Sequence, residues 1–344
     1  MRKKLTSVWA HNFKQEISSV DRCLCRFPIV SFDTEFPGFL RNTPRGASEG
    51  LCYQDLAFNV DSLKLIQLGI TLFDDGGNVG GTWEFNFRGF DEETDPHVPE
   101  SIALLKTNGL DLEKFGKFGI DSDIFVEGFV EILRVHRGRL VWVSFHGLYD
   151  SAYVMKLVTR KTIPSSPTEF AKMAGRLFER VYDLKFMAKY CPGLFGGEIG
   201  LERMAKILGV QRCGDAHQAG SDSLLTAELF LKMRSQFGLK PGMYEGFLYS
   251  LSPKICGASN YLCSSVHTVH RAPPHSVILV PAVPTRPIIL IRHPFSRDKS
   301  CQSRHHAAPV MLYRHPPPPV FLHRRPCSPF PALPQALPEN HIHM

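Results

Sequence analysis

The sequence predicts an α/β domain with a mixed central sheet flanked by helices, followed by an extension outside that core. Two observations carry this prediction. In residues 1–250, short apolar runs bounded by turn residues are interspersed with longer segments of helical periodicity. Near residue 250 the composition changes abruptly, which is typical of a domain boundary. We therefore predict a folded domain over residues 1–250 and an extension over residues 251–344.

Four segments have the composition of strands. Phe27–Thr34 is a short apolar run, consistent with a buried strand. Leu63–Phe73 is largely apolar and ends at the turn signal Asp-Asp-Gly-Gly. Trp83–Phe87 alternates apolar and polar residues, which predicts a hairpin or meander with the preceding strand. Leu140–Phe145 is the fourth candidate.

The intervening segments favour helices. Ile124–Arg137 and Asp150–Arg160 carry apolar residues at helical spacing. Ala219–Phe237 is the clearest case, because Gly238 and then Pro241 follow it and together form a strong helix stop.

The extension differs from the domain in charge and in residue types. Residues 251–344 contain 10 Lys and Arg against 2 Asp and Glu, whereas residues 1–250 contain 30 against 31. The extension also holds 17 of the 26 prolines and 10 of the 15 histidines, so we predict a basic, low-complexity, disordered tail. It is either an arm that contacts RNA or a partner domain, or a solvated segment without a specific role; charged runs favour the second interpretation.

Two classes of protein are not expected. No apolar run reaches the roughly 18 residues of a membrane span, so we expect no membrane partner. A protein held together by a disulfide framework is also not expected. The nine cysteines are scattered and odd in number, which indicates reduced thiols in a cytosolic or nuclear protein.

The sharpest local feature is the pair Asp33 and Glu35 at the end of the first predicted strand. Side chains alternate across a strand, so both carboxylates point the same way. Two like charges at the edge of a core are unfavourable without a compensating cation. For an isolated pair of this kind, a turn capped by Asp33 with Glu35 in solvent would be the better interpretation.

Two further segments change that balance. Asp150 follows the fourth strand near the start of a helix, a position where aspartate often serves as an N-cap. His217 precedes Asp222 at the opening of the 219–237 helix, where Asp222 alone would suit the helix dipole and His217 alone would suit a surface loop. In open α/β sheets such strand and helix ends gather at one rim. Clustered carboxylates there suit Mg²⁺ or Mn²⁺, and two such ions roughly 4 Å apart hydrolyse phosphodiesters.

These residues resemble the acidic set of DEDDh 3′-to-5′ exonucleases, which have an RNase H-like fold. More narrowly, the segments DTEFPG, FHGLYD and HQAGSDSLLT resemble the CCR-associated factor (Caf/Pop) deadenylases of the CCR–NOT complex. The segments LIQLG, WEFNF and YDLK between these motifs also look like family segments, and Val8-Trp9 with Asn12 resembles the family's opening helix. The resemblance covers about residues 5–250.

The resemblance implies a role for each residue of the set. Asp33 would bridge two divalent ions, Mg²⁺ or Mn²⁺, while Glu35 and Asp222 would complete the site of the nucleophilic water. Asp150 would hold the second ion on the leaving-group side, and His217 would be the general base. All five residues are present, although Gly147-Leu148 and Ser151-Ala152 depart from the family pattern.

The resemblance also implies a substrate and partners. The substrate would be the poly(A) tail of mRNA, shortened with release of 5′-AMP. The partners would be a large scaffold subunit and a second deadenylase of the CCR–NOT complex, in both nucleus and cytoplasm. A folded domain of near-zero net charge should bind RNA weakly by itself, so recruitment by a scaffold fits the charge as well.

Two other functions stay open from the sequence alone. The first is a DEDDh exonuclease that acts on another RNA or DNA 3′ end, which differs from a deadenylase in base preference. The second is an inactive scaffold that keeps the nuclease fold to bind its complex. The intact acidic set argues against a scaffold, since such a protein has no physical reason to retain uncompensated carboxylates.

Overall fold

The computed structural model describes residues 5–257. They form a mixed α/β domain, as predicted, with six strands and ten α-helices among the described residues. The strands are β1 Leu5–Val8, β2 Ile29–Glu35, β3 Gln67–Phe73, β4 Val79–Asn86, β5 Val141–Ser144 and β6 Val181–Asp183. The helices are α1 Phe13–Leu24, α2 Glu49–Ser62, α3 Pro99–Thr107, α4 Leu112–Phe118, α5 Ser122–Val135, α6 Leu148–Thr159, α7 Pro167–Phe178, α8 Leu184–Ala188, α9 Leu201–Leu208 and α10 Ala219–Phe237.

The six strands form one sheet in the order β1-β4-β3-β2-β5-β6. Strand β3 is antiparallel to β2 and to β4, and the other neighbouring pairs are parallel. The carboxyl ends of β2, β4, β5 and β6 therefore lie at one edge of the sheet, together with the amino end of β3.

Helices cover both faces of the sheet, and β2 shows how its residues are divided between them. Val30 and Phe32 belong to the core cluster that includes residues of α1, α5, α6 and α7. Ile29 belongs to the cluster built with α8, α9 and α10. By alternation, Asp33 and Glu35 share the Ile29 face, which is the α10 side of the sheet.

Two of the predicted elements need correction. The strand predicted for Leu63–Phe73 begins only at Gln67. The residues before it follow the end of α2, where the Lys156 ammonium donates hydrogen bonds to the carbonyls of Val60, Asp61 and Leu63. The opening helix is present and Asn12 is its N-cap, but Val8 and Trp9 precede it, since Leu5–Val8 pairs in parallel with β4. Helix α1 starts only at Phe13.

The predicted helix Ala219–Phe237 is confirmed at both ends, with Gly238 in the left-handed conformation at its C-cap. Leu251 and Ile255 are buried in the core, so chain packing continues past residue 250. Every helix within residues 5–257 is too short or too polar to cross a bilayer. The predicted disordered tail lies almost wholly outside the described residues.

Candidate active site

The end of β2 presents two carboxylates to helix α10. Ser31, on the same side of the strand, donates a hydrogen bond from its hydroxyl to the carbonyl of Ser223 in α10, 2.8 Å away. Asp33 and Glu35 follow at alternate positions, so they point toward the same helix. Glu35 is buried and Asp33 is partly exposed.

A glycine in β3 lets α10 approach the sheet closely. A Cβ atom at Gly69 would lie 1.9 Å from the carbonyl oxygen of Ala219, the first residue of α10. Gln67, also in β3, accepts a hydrogen bond from the Ala219 N–H at 3.3 Å. These contacts fix the first turn of α10, which carries Asp222, against the strands beside β2.

Glu35, Asp222 and His217 meet at this junction. One ligand atom from each, a carboxylate oxygen or a ring nitrogen, lies within 4.8 Å of the other two. His217 is exposed, with a backbone φ of 58° in the left-handed region, and its backbone N–H donates to the Asp222 carboxylate. Such a conformation costs energy in a non-glycine residue, and functional sites often hold it.

Asp150 reaches the site from the other side of β2. It lies in the first turn of α6 and does not serve as the N-cap, which is Gly147. Its Oδ1 accepts hydrogen bonds from the Thr34 N–H at 2.9 Å and from the Thr34 hydroxyl at 2.5 Å. The pairing of β2 with β5 ends at Ser31, so Asp150 supplies the partner that the Thr34 N–H lacks.

Burial raises the pKa values of all four carboxyls, and repulsion within the set adds to the rise for Asp33 and Glu35. Burial is the largest cause for Asp33, and the charges of Asp150, Asp222 and Glu35 add to it. Burial, followed by the charges of Asp222 and Asp150, also raises the pKa of Glu35 well above its usual range. Burial raises the pKa of Asp150 to about 7. For Asp222 burial again outweighs the lowering effects of Arg212 and of the backbone hydrogen bond from His217.

The donor set fits a hard divalent cation. Carboxylate oxygens with one imidazole are ligands that Mg²⁺ and Mn²⁺ accept, and a cation relieves the repulsion that raises these pKa values. Among residues 5–257, Glu35, His217 and Asp222 form the only group of three such side chains within mutual ligand distance. Asp33 and Asp150 are not members of that group, although both interact electrostatically with its carboxylates.

Comparison with known proteins points to one family. A family model described as CAF1 family ribonuclease matches residues 8–122. A probable CCR4-associated factor 1 homolog 5 of Arabidopsis thaliana is 45% identical over 227 residues, which are 66% of this chain and 81% of the relative. The chain belongs to the CAF1 family of ribonucleases.

Two yeast relatives add structural detail. The poly(A) ribonuclease pop2 of Schizosaccharomyces pombe is 38% identical over 68% of this CAF1 chain and 70% of the relative. A structure of S. pombe Pop2p in its Mg²⁺- and Mn²⁺-bound form superposes with a TM-score of 0.67 and 37% identity, over 72% of this chain and 99% of that one. A yeast CAF1 solved with the NOT1 MIF4G domain has a TM-score of 0.61 and 25% identity, over 72% and 96%.

Sequence reasoning missed Arg212, a half-buried cation of this CAF1 site. Its Nη1 donates to Oδ1 of Asp222 and, at 3.0 Å, to the hydroxyl of Ser221. Its Nε donates to Glu202 at 3.0 Å. Arg212 also opposes the rise in the pKa values of Asp33 and Glu35. The sequence signal was weak, since Arg212 precedes the His217–Asp222 motif in a loop without regular periodicity.

Glu84 is a further buried acid beside the site that the sequence did not single out. Asp33, Gly69 and Glu84 pair across β2, β3 and β4, which places them in one row of the sheet. Glu84 accepts the N–H of Gly220 at 3.1 Å and so fastens the start of α10 to β4. Burial raises the pKa of Glu84.

Proposed function

We propose that this CAF1 protein is a poly(A)-specific 3′-to-5′ exoribonuclease that shortens mRNA tails and releases 5′-AMP. The observation that carries the proposal is the meeting of Glu35, Asp222 and His217 beside Asp33, in the fold of a ribonuclease family. The proposed substrate is supported by the S. pombe relative, which is named a poly(A) ribonuclease.

The proposed roles follow the positions of the five side chains. Asp33 is central, because it interacts with the charges of Asp150, Asp222 and Glu35, so these four carboxylates would hold two divalent ions. When bound, the ions supply positive charge to the scissile phosphate and lower the pKa of an attacking water. The exposed imidazole of His217 lies at the Glu35–Asp222 side, where a ring nitrogen can take the proton of that water and pass it to solvent.

Its setting would be the CCR4–NOT complex. The support is the yeast CAF1 that was co-crystallized with a NOT1 MIF4G domain, together with relatives named CCR4-associated factor 1 homologs. We extend this to a NOT1-like scaffold and a second deadenylase as partners, with pools in both nucleus and cytoplasm. Pull-down of the tagged chain, with mass spectrometry of nuclear and cytoplasmic fractions, tests each part.

A homopolymer panel tests the activity. We expect the wild-type chain with Mg²⁺ to shorten 5′-labelled poly(A) in single-nucleotide steps, with 5′-AMP as product, and to act poorly on poly(U) and poly(C). Chelation of the metal should stop the reaction. Equal shortening of all three polymers would remove the poly(A) specificity and leave a general exoribonuclease. No shortening of any polymer, with Mg²⁺ or Mn²⁺, would contradict the enzyme itself.

The raised pKa values predict how pH acts on the metal-free protein. Asp150 has its pKa raised to about 7 in the folded state, so folding favours its protonated form. The stability that this group contributes is present below its unfolded-state pKa of about 4 and is lost as pH rises toward 7. Asp150 alone would remove up to about 4 kcal/mol over that window, and Asp33 and Glu35 act in the same direction.

We therefore expect the Tm of the metal-free protein to fall as the pH rises from about 4 toward 7. Mn²⁺ should raise the Tm more at pH 8 than at pH 6, because binding requires ionised carboxylates. Asp150→Asn should flatten the pH dependence of the Tm. Asp75→Asn should not, because Asp75 is an exposed residue in the turn between β3 and β4. A metal-free Tm that rises over this interval would show that the acids are not crowded.

A further inference from the structure

An aromatic and basic surface adjoins the acidic cluster. We call it the Tyr249 platform and define it as His146, Lys185, Lys189 and Tyr249. The Nζ atoms of Lys185 and Lys189 lie 4.7 and 4.5 Å from the centroid of the Tyr249 ring. The ring of His146 stands edge-on to the same ring, with centroids 5.1 Å apart and an angle of 89°. His146 and Lys189 are exposed, so the platform is open to solvent.

A buried carboxylate fixes this platform next to Asp150. Asp183, at the end of β6, is fully buried. It accepts backbone hydrogen bonds from His146 at 3.0 Å, Lys185 at 2.8 Å and Tyr249 at 2.9 Å. Three segments that are distant in sequence are thereby joined at one point. His146 lies in the loop that leads from β5 into α6, and the first turn of α6 carries Asp150.

The charges of the platform suit a polyanion. Glu198 is the acid on its surface, and it accepts a hydrogen bond from the Tyr249 hydroxyl. Lys185 and Arg45 both act on Glu198 electrostatically. Asp183 is a second acid, buried beneath the platform, so the accessible side carries Lys185, Lys189 and Arg45 against Glu198. Ammonium groups over a partly exposed ring such as Tyr249 are weakly held and can exchange that contact for a phosphate. Aromatic rings with lysines are what single-stranded nucleic acid uses for binding without base pairing.

The order of the strands shows on which side of β2 the platform lies. His217 and the first residues of α10 lie over β3 and β4, because Gly69 and Glu84 contact Ala219 and Gly220. The platform lies at the ends of β5 and β6, beyond β2 on the other side. In an in-line displacement, the attacking and leaving oxygens take opposite sides of the phosphorus. The proposed base is His217, so the leaving oxygen points toward the platform.

We propose that the Tyr249 platform binds the RNA nucleotides immediately upstream of the scissile phosphate. The leaving oxygen in 3′-to-5′ hydrolysis is the 3′-oxygen of the penultimate nucleotide, so the upstream chain continues on that side. Lys185 and Lys189 contact its phosphates, and the rings of His146 and Tyr249 contact its bases. This proposal rests on the proposed function of the site and adds where the retained part of the substrate lies.

Binding of a 5′-fluorescein oligo(A) to the full chain, measured by anisotropy with a chelator present, tests the platform. The double variant Lys185→Ala with Lys189→Ala should weaken binding about tenfold and reduce the slope of log Kd against log salt by about 1.4. Tyr249→Leu should weaken binding by a similar factor without changing that slope, because stacking is not ionic. Tyr249→Phe keeps the ring and should bind like wild type.

Two controls separate the platform from general effects. Arg26→Ala removes a cation that lies 5.3 Å from the Phe27 ring, at the opposite end of β2, and should leave binding unchanged. With Mg²⁺, the platform variants should raise KM for oligo(A) far more than they lower kcat. Inhibition by free AMP should not change, because AMP represents the terminal nucleotide on the other side of the scissile bond.

Wild-type affinity in both the lysine and the Tyr249→Leu variants, with wild-type Tm, would overturn the platform. A KM effect accompanied by an equal loss of AMP inhibition would also overturn it, since the contact would then be to the terminal nucleotide. If the variants bind oligo(A) like wild type while wild type still shortens poly(A), the proposed function stands without the platform. If wild type binds oligo(A) through the platform and shortens no RNA, the proposed function fails instead.

Discussion

Asp33→Asn is expected to lower the rate of poly(A) shortening by roughly 10³-fold or more while the protein stays folded. Asp33 interacts with every other carboxylate of the site, so its loss affects both positions at which divalent ions would be held. The amide keeps the shape of the side chain and removes its charge. Timed shortening of a 3′-oligo(A) RNA under saturating Mg²⁺ measures the effect.

The same substitution should stabilise the metal-free protein. Burial and three neighbouring acids raise the pKa of Asp33, which means that its ionised form is disfavoured in the fold. The neutral amide removes that repulsion, so Tm at pH 8 should rise without metal and respond less to Mn²⁺. Asp75→Asn is the matched control, because Asp75 is exposed and pairs with Arg234 far from the site. Activity within about tenfold of wild type in Asp33→Asn would place the chemistry elsewhere.

The two opposite effects distinguish an active site from a structural cluster. In a scaffold that merely kept the fold, Asp33→Asn would stabilise the protein and leave RNA decay unchanged. In an enzyme, the substitution lowers activity while it raises stability, because the carboxylates that repel one another in the metal-free protein are the groups that bind the cation. Measuring both quantities on one preparation therefore separates the enzyme from the inactive scaffold that the sequence left open.

The parts of the fold that the sequence predicted well are those whose signals are local. Helix α10 ends at a glycine stop, and both of its ends were predicted. The shared direction of Asp33 and Glu35 follows from strand alternation alone. Strand β1 was missed because its partner β4 lies far along the chain, and Leu5–Val8 has no alternation strong enough to indicate an edge strand.

The same distinction holds within the site. Asp33, Glu35, Asp150, His217 and Asp222 stand in motifs that can be read from the chain. Arg212 and Asp183 could not be assigned in that way, because their roles depend on which segments the fold brings to them. A lone arginine in a loop and an aspartate before a short helix are common surface and capping residues. Only the tertiary contacts reveal that one neutralises Asp222 and the other joins three segments.

Gly69→Ala is the second change with a large expected effect, although Gly69 has no functional group. The new methyl group would lie 1.9 Å from the carbonyl oxygen of Ala219 and 2.5 Å from the nitrogen of Gly220. Both atoms belong to the backbone, so helix α10 must move away from β3 by an ångström or more. Overpacking of this kind costs roughly 1–3 kcal/mol, which calorimetry or chemical denaturation will measure.

Gly69→Ala should slow catalysis by more than its loss of stability alone explains, because α10 carries Asp222 and its start is preceded by His217. A shift of about 1 Å in catalytic groups lowers rates by about 10²-fold. We therefore expect Gly69→Ala to remain folded at temperatures well below its Tm. Under those conditions it should bind Mn²⁺ more weakly and shorten poly(A) about 10²-fold more slowly than wild type. Gly116→Ala is the control, because Gly116 lies in α4 with no atom within 4 Å of an added Cβ. Normal Mn²⁺ affinity and activity in Gly69→Ala would show that the site does not depend on how closely α10 approaches the sheet, and would remove the physical reason for a glycine opposite Asp33.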